Sequence, residues 1–161
     1  MENHPFPPVY DSQSRILILG SFPSVKSRET NFFYGHPRNR FWKLIARLVD
    51  EEVPITIEEK KVMLLKHHIA IWDVIASCEI QGSSDSSIKN VVANDLSKIL
   101  EAAQIVQIYG NGATACKFYK KYIYKETGRE IIKLPSTSPA NAAWSEDRLY
   151  EKWKEILEDI K

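Results

Sequence analysis

Short runs of mostly apolar residues recur along the chain and predict its strands. The four runs are Ile16–Leu19, Ile69–Val74, Ile105–Tyr109 and Ile131–Leu134. None of them shows the regular alternation of apolar and polar positions that a strand with one wet face would have. We therefore expect four strands that are buried on both faces.

Segments with apolar residues three or four positions apart lie between these runs and predict helices. The first begins at Asn39, whose side chain is a suitable helix cap. Another begins at Thr56, and Glu59 three residues later completes a capping-box pattern. The apolar stripes of the predicted helices are Phe41, Leu44, Ile45 and Leu48; Val62, Met63 and Leu65; Leu96, Ile99 and Leu100; Ala115, Phe118, Tyr119 and Tyr122; and Leu149, Trp153, Ile156 and Ile160.

Strands that alternate with helices predict a parallel sheet covered on both faces. We expect one α/β domain over residues 1–161, with a four-stranded parallel sheet in a three-layer α/β/α arrangement. Residues 1–13 contain three prolines and no periodic pattern, so we expect an extended N-terminal arm on the surface. In such sheets, ligands bind beyond the carboxyl ends of the strands. We therefore expect the site to be formed by the segments that follow the four predicted strands, which are GSFPS, Asp73, GNG and PSTSPAN.

Composition and charge narrow the class of protein. The 161 residues are 43% hydrophobic and 27% charged, with a formal net charge of +1. Basic residues cluster between Lys26 and Arg47 and the last helix is acidic, which predicts one basic face, although solvated surface charge fits equally well. Cys78 and Cys116 form no CxxC pair and read as buried thiols. Without a membrane-length apolar run or a secretion signal, we expect a cytoplasmic protein.

Several familiar catalytic sites are not supported by the motifs. The GSFPS loop lacks the G-x-S-x-G pattern of a nucleophile elbow, and the spacing of Ser21, His36 and Asp73 does not require a catalytic triad. The four histidines show no metal-ligand spacing, so we expect no metal site. The GNG segment lacks a nucleotide-binding fingerprint and is more typical of a strand-to-helix turn.

Five motifs, taken in order, resemble the uracil-DNA glycosylase superfamily. They are GSFPS, YGHPRNRFW, IWDV with CEIQGSSDSS, YGNG, and LPSTSPAN, and the likeness runs from about Ile16 to Trp144. It is greatest to the hypoxanthine (deoxyinosine) DNA glycosylase branch. The resemblance implies a four-stranded parallel sheet with a base pocket at its strand ends. It also implies a base-excision repair enzyme that flips a deaminated base, hypoxanthine in this branch, out of DNA and hydrolyses its N-glycosidic bond.

The resemblance assigns catalysis to Asn39, whose amide would position a water or hydrogen-bond the base; a helix cap at this residue is compatible with that role. Phe22 stands where the mismatch-specific uracil/thymine branch has the catalytic Asn of GINPG, which argues against that branch's mechanism. Either Phe33 or Tyr34 would stack on the base, with core packing for at least one of them. His36 fits a pocket or a turn. The implied base pocket is Gly20, Ser21, Phe22, Pro23, Ser24, Phe33, Tyr34 and His36.

The resemblance also implies a DNA-binding surface. Arg38 and Arg40 would meet phosphates, with solvated charge as the alternative, and the loop after the fourth strand would contact phosphates and fill the space that the flipped base leaves. A plain turn would look similar. The implied DNA-binding residues are Arg38, Arg40, Ser136, Thr137, Ser138, Pro139, Ala140 and Asn141. Asp85, Ser86 and Ser87 fit the rim of the pocket, and Asp73 either touches it or is structural.

No lysine in these motifs is suited to act as a nucleophile, so we expect a monofunctional glycosylase that needs no cofactor. The expected partner is double-stranded DNA that contains a deaminated base, bound by a monomer, with no membrane association. One alternative is a uracil or G:U/G:T mismatch-specific DNA glycosylase. Another is a non-catalytic nucleic-acid-binding α/β module, which would be indifferent to the loss of Asn39.

Overall fold

The computed structural model describes residues 1–161 and contains the parallel sheet that the apolar runs predict. The strands are β1 (Glu2–Asn3), β2 (Ile16–Gly20), β3 (Ile69–Asp73), β4 (Ile75–Glu79), β5 (Lys89–Ala93), β6 (Gln107–Asn111) and β7 (Ile131–Leu134). Four of them form a parallel sheet in the order β3-β2-β6-β7. Every residue of β2 is buried, because helices cover both faces of this central strand.

The helices form a layer on each face of the parallel sheet. They are α1 (Val25–Thr30), α2 (Phe41–Leu48), α3 (Ile57–Lys66), α4 (Ser97–Ala102), α5 (Ala113–Tyr122), α6 (Tyr124–Thr127), α7 (Glu146–Trp153) and α8 (Ile156–Asp159). One core joins the sheet to α2, α3, α7 and α8. The other joins it to α4 and α5. The predicted three-layer α/β/α fold is confirmed, and no helix is long and apolar enough to cross a membrane.

Local signals in the sequence explain where several helices begin. The capping box of α3 is present: Thr56 Oγ1 accepts the Glu59 N–H at 3.1 Å, and Glu59 Oε1 accepts the Thr56 N–H at 2.8 Å. The predicted C-terminal helix is divided into α7 and α8, where the Leu157 N–H bonds the Lys154 carbonyl and tightens the chain.

The N-terminal arm is extended and mostly exposed, as predicted, but two of its apolar side chains dock it against the sheet. Val9 exchanges two backbone hydrogen bonds of 3.0 Å with Ile71 on β3, which is the edge strand of the parallel sheet. Phe6 and Val9 are only 7% and 5% exposed. Burying an apolar side chain of this size stabilises the fold by about 1.5–3 kcal/mol. The prolines prevent a helix, yet the apolar side chains between them still dock the arm.

The structure also contains a small antiparallel sheet that the apolar pattern does not predict. Its order is β1-β4-β5, with the arm pairing Glu2 and Asn3 against Cys78 and Ser77. Strand β5 is mostly exposed, and the register between β4 and β5 shifts twice. Short, irregular strands with polar residues give little periodic signal. The polar segment Gln81–Ser87, predicted as a loop, connects β4 to β5 and includes a 3-10 turn at Asp85–Ser87.

Candidate active site

A cavity of about 390 Å³ lies at the carboxyl ends of β2, β3 and β6, a size typical of small-molecule sites. It is where the ends of the strands predict a ligand. The predicted site residues that line it are Gly20, Ser21, Phe22, Pro23, Ser24, Phe33, Tyr34, Asn39, Asp73, Asp85, Ser86, Ser136, Thr137, Ser138 and Ala140. No lysine, arginine or histidine lines this cavity, so its chemistry must come from amides, hydroxyls and two carboxyl groups.

Asn39 lies on the wall of the cavity at the beginning of α2. Its Oδ1 accepts two hydrogen bonds, one from the Phe41 N–H at 2.9 Å and one from the Thr137 hydroxyl at 2.8 Å. A carbonyl oxygen has two lone pairs, so both acceptor positions of this amide are occupied. The predicted helix cap is one residue too early: the N-cap of α2 is Arg40, and Asn39 bonds the first N–H of the helix from the preceding position. The Nδ2 group is what Asn39 can offer to a ligand.

Thr137 and Asn111 hold Asn39 in this orientation. Asn111 is the last residue of β6, and its Nδ2 donates to Thr137 Oγ1 at 3.0 Å while its Oδ1 accepts the Thr137 N–H at 3.0 Å. The Thr137 hydroxyl then donates its single hydrogen to Asn39. Each group in this series donates to the next, from Asn111 to Thr137 and from Thr137 to Asn39. The Nδ2 donor of Asn39 is left free. Thr137 is completely buried, so within the loop predicted to contact phosphates its side chain serves Asn39.

Arg40 fastens the loop that carries Thr137. Its guanidinium donates to the backbone carbonyls of Thr137 at 3.3 Å, Ser138 at 2.8 Å and Asn141 at 3.1 Å, and also to that of Trp144. A guanidinium has five N–H groups, so four are used within the protein and at most one remains for a phosphate. The structure makes Arg40 a loop anchor, and its predicted contact with DNA has little hydrogen-bonding capacity left.

The remainder of this loop is also internally bonded. The N–H groups of Ser138 and Ala140 bond the hydroxyls of Ser136 and Ser138, at 3.1 and 3.2 Å, and the Asn141 N–H bonds the Ser138 carbonyl. The prediction of a stiff loop agrees with these contacts. The predicted supply of free backbone donors for DNA does not.

The GSFPS loop forms the opposite wall. Ser24 caps α1 by accepting the Ser27 N–H at 3.2 Å, and Ser27 Oγ accepts the Gly35 N–H at 2.9 Å. Gly20 has no room for a side chain, because a Cβ atom there would lie 2.4 Å from Asp73 Oδ1. The strand end and the Asp73 carboxylate are therefore packed directly against each other.

Three aromatic residues line the cavity and differ in their packing. Phe33 is 2% exposed and belongs to the core, where it contacts Phe6 edge-on. Tyr34 stacks on Phe41 with ring centres 4.1 Å apart. Burial raises the pKa of the Tyr34 hydroxyl, and the nearby charge of Asp73 raises it further, so this group stays protonated. Phe22 is 9% exposed. Core packing, expected for at least one of Phe33 and Tyr34, is confirmed for Phe33.

Residues of the polar segment between β4 and β5 close the rim of the cavity. Ser21 Oγ donates to Asp85 Oδ1 at 3.4 Å, and burial raises the pKa of the Asp85 carboxyl. Ser83, Ser84 and Ser86 line the rim with Asp85. Ser87, which was also expected there, instead bonds the Gln81 N–H and the Ser84 carbonyl within its own turn.

The structure does not bring His36 to the pocket. Its Nδ1 accepts the Arg38 N–H at 3.0 Å and its carbonyl accepts the Asn39 N–H at 2.9 Å, which makes it the turn residue of the two possibilities. Arg38 is exposed and remains a candidate for phosphate contact. Phe41 and Trp42, predicted as core, are 0% and 6% exposed.

Half of the six cations on the predicted basic face pair with acidic residues of the protein. Lys26, Arg28 and Arg47 pair with Glu29, Glu2 and Asp147 at 3.5, 3.4 and 2.9 Å. Three cations of the stretch, Arg38, Arg40 and Lys43, have no acidic partner, and the guanidinium of Arg40 bonds backbone carbonyls instead. Pairs on an exposed surface are weak, so a polyanion can compete for these side chains.

Sequence patterns missed two residues of the site. Asn111 was read only as part of a turn, although a polar residue at the carboxyl end of a buried strand is itself a signal. His4 was assigned no role, yet its Nε2 bonds Asp73 Oδ2 at 2.8 Å. Nothing in the local sequence links a histidine in an arm to a strand 69 residues away. No group of three or more His, Cys, Asp or Glu side chains is arranged to hold a metal ion.

Comparisons with known proteins match this chain in family and in sequence. The family model of the uracil DNA glycosylase superfamily matches residues 7–161. A protein named hypoxanthine DNA glycosylase from Methanosarcina acetivorans is 37% identical over 94% of this chain and 96% of its own length. One of the same name from Methanosarcina barkeri is 32% identical over 88% of this chain and 89% of its own.

A solved structure adds the fold to these sequence matches. The solution NMR structure of a candidate uracil DNA glycosylase from Methanosarcina acetivorans superposes with a TM-score of 0.80, at 35% identity and with 94% of both chains covered. Sequence and fold match along nearly the whole chain, and the matched region includes every residue around Asn39. The chain therefore belongs to the uracil-DNA glycosylase superfamily.

Proposed function

We propose that this protein is a DNA glycosylase that hydrolyses the N-glycosidic bond of a flipped hypoxanthine. The observation that carries the proposal is the amide of Asn39, fixed by two hydrogen bonds to its Oδ1 with its Nδ2 donor left free at the cavity. The two relatives named hypoxanthine DNA glycosylase support the choice of base.

The direction of hydrogen bonding around Asn39 favours one mechanism. When the bond between C1′ and the base breaks, the electron pair leaves with the base, and negative charge collects on its nitrogen and oxygen atoms. An N–H donor fixed beside that charge stabilises the transition state. A water nucleophile would instead need an acceptor for its proton, and Asn39 Oδ1 has no free lone pair. We therefore assign Asn39 to the stabilisation of the leaving base.

The rest of the reaction follows from the lining of the cavity. Water adds to C1′, the base departs with a proton, and an abasic site remains in an uncut strand. A glycosylase that also cuts the strand needs an amine nucleophile, and no lysine lines the cavity. This absence supports a monofunctional enzyme.

Double-stranded DNA is the proposed substrate, because extrusion of a mispaired base from a duplex costs only a few kcal/mol and gives the first selection of damage. The exposed Arg38 beside Asn39 is the proposed phosphate contact. We also propose that the protein acts as a monomer in the cytoplasm.

A panel of labelled duplexes tests the activity. Each carries hypoxanthine, uracil, xanthine or a G:T mispair, and alkaline cleavage reports the abasic site. We expect hypoxanthine to be excised fastest. Faster release of uracil or of mispaired thymine would favour the uracil or mismatch glycosylase instead, and cleavage of none of the duplexes would favour a non-catalytic DNA-binding module.

The variant Asn39→Ala tests the assignment of the catalytic residue. Loss of one donor to a developing anion typically lowers the rate by about 10²–10³-fold. We expect a loss of this size with DNA affinity close to that of the unaltered protein. Gln104→Ala is the matched control, because Gln104 is an exposed carboxamide at the amino end of the sheet. Equal excision by the two variants would remove Asn39 from the mechanism.

A further inference from the structure

A buried carboxylate and a buried histidine meet at the floor of the cavity. Asp73 ends β3 and is 3% exposed. His4 Nε2 lies 2.8 Å from Asp73 Oδ2, and both side chains are 5% exposed. The histidine ring is enclosed by Phe6, Phe22 and other aromatic rings, and its Nδ1 has no partner. The N-terminal arm therefore delivers one specific hydrogen bond to the floor of the cavity.

The two oxygens of Asp73 have different surroundings. Oδ2 accepts the hydrogen of His4 Nε2, whereas Oδ1 accepts no hydrogen bond from the protein. Oδ1 is also absent from the enclosed polar atoms that lack a partner, and Asp73 lines the cavity. Oδ1 is therefore open to the cavity, and its acceptor positions are not used by the protein. The arrangement is explained if a ligand in the cavity supplies the missing donor.

Deamination creates such a donor. Adenine and cytosine each carry a ring nitrogen with a lone pair, N1 and N3 respectively, next to the exocyclic amine. Replacing the amine by oxygen gives hypoxanthine and uracil, in which the same nitrogen carries a hydrogen. A carboxylate oxygen can only accept. It therefore attracts the ring N–H of the damaged base and repels the lone pair of its undamaged parent.

We propose that Asp73 is the specificity-determining residue that reads the ring N–H of the deaminated base, and that His4 is the residue that positions it. This inference rests on the proposed function. His4 holds Oδ2 and so turns Oδ1 toward the cavity, while the missing side chain of Gly20 leaves room for that oxygen. Sites built around a hydrogen bond to the substrate discriminate strongly against an analogue that lacks the group.

The test measures binding and excision separately. Duplexes carry 2′-fluoroarabino nucleotides of hypoxanthine or adenine, which resist cleavage, and the ratio of their dissociation constants reports selectivity. Single-turnover excision of hypoxanthine from ordinary duplexes is measured beside it. In Asp73→Asn the amide oxygen accepts the His4 N–H, and the NH₂ group faces the base in place of Oδ1. We expect the preference for hypoxanthine over adenine to fall by about 10²-fold, a loss of the size expected for one such contact.

The histidine variants test the positioning role. His4→Phe keeps an aromatic ring but removes the donor, and we expect a loss of selectivity of at least about tenfold. His4→Gln places an N–H near the position of Nε2 and should restore selectivity to within about threefold of the unaltered protein. His67→Gln is the control, because His67 also bonds a carboxylate, Glu51, but lies at the amino end of β3. Thermal unfolding establishes that each variant is folded.

The outcomes separate this inference from the proposed function. If the unaltered protein excises none of the bases, the proposed function fails. If it excises hypoxanthine but Asp73→Asn and His4→Phe keep the binding ratio, the assignment of Asp73 and His4 is overturned while the function stands. A uniform fall in excision with an unchanged ratio would likewise overturn it, because that is the signature of a structural or general-base role.

Discussion

Replacing Thr137 by Val tests how the Asn39 amide is held. Valine has nearly the shape of threonine but no hydroxyl, and Thr137 is completely buried, so the change removes hydrogen bonds with little change in packing. Two are lost: the 2.8 Å bond to Asn39 Oδ1 and the 3.0 Å bond from Asn111 Nδ2. The backbone bond from the Thr137 N–H to Asn111 remains.

The expected magnitudes follow from this count. Each hydrogen bond contributes about 0.5–1.5 kcal/mol, so the variant should be about 1–3 kcal/mol less stable. For a chain of this size that lowers the melting temperature by roughly 2–12 °C. Asn39 Oδ1 still accepts the Phe41 N–H, but the free energy that holds its amide in the productive orientation falls by about 1 kcal/mol. This corresponds to a rate that is lower by about 5–10-fold, far less than removal of the amide itself.

The assay combines single-turnover excision of hypoxanthine with thermal unfolding and DNA binding. Thr137→Ser keeps the hydroxyl and should recover most of the rate, although it loses a buried methyl group. The expected pattern is a lower rate, a lower melting temperature and unchanged DNA affinity. A valine variant that is less stable yet excises hypoxanthine at the full rate would refute the positioning role. So would a loss of DNA affinity with no change in the chemical step.

Three further predictions address the pocket, the arm and the rim. Gly20→Ala should lose most hypoxanthine excision in the same assay, because its Cβ would lie 2.4 Å from Asp73 Oδ1 and 3.3 Å from the Tyr34 hydroxyl; full activity would show that the floor is free to adjust. Phe6→Ala should lower the free energy of unfolding in urea by about 3–5 kcal/mol, whereas an arm that merely lies on the surface would cost almost nothing. Asp85→Asn should slightly stabilise the fold near neutral pH. Burial raises the pKa of this carboxyl, so its charged form opposes folding above that pKa. The gain in stability from Asp85→Asn should therefore vanish in acid, where the carboxyl is neutral; a gain that grows in acid would contradict this cause.

Much of the fold follows from the sequence because the sheet signal is local. The continuous apolar run Ile16–Leu19 coincides with the observed strand β2, in which every residue is buried. Such runs need no information about distant residues, since burial on both faces requires apolar side chains at every position. The β4–β5 hairpin gave no such signal, because its residues are exposed and its register is irregular. Strand order also follows only in part, since the docking of the arm beside β3 is a long-range event.

The candidate site was predictable to the extent that it consists of strand ends. GSFPS, Asp73 and the loop that contains Thr137 were all placed near a ligand by topology alone. The sequence could not show which donor and acceptor atoms of each side chain are already used in hydrogen bonds within the protein. The family resemblance implies that Arg40 is a phosphate ligand, yet four carbonyls use its donors. His4 reads as part of a loose terminus, yet it bonds the floor of the cavity.

Asn39 holds the beginning of α2 and takes part in catalysis with different atoms, so one substitution can separate the two roles. Oδ1 accepts the Phe41 N–H and the Thr137 hydroxyl, which serves the fold. Nδ2 serves the cavity. Asn39→Asp keeps an oxygen for both structural bonds, and a negative charge at the beginning of α2 adds about 0.3–1 kcal/mol of stability. The same change replaces the donor that faces the ligand with an acceptor.

We therefore expect Asn39→Asp to unfold at or above the melting temperature of the unaltered protein and to excise hypoxanthine more slowly by at least about 10²–10³-fold. Asn39→Ala should lose both properties, since each of the two hydrogen bonds that Oδ1 accepts is worth about 0.5–1.5 kcal/mol. The opposite result would be equally informative. A carboxylate at this position that sustains the rate would be acting as an acceptor for the attacking water. Stabilisation of the leaving base by an Nδ2 donor would then no longer explain the reaction, because only an amide can supply that hydrogen.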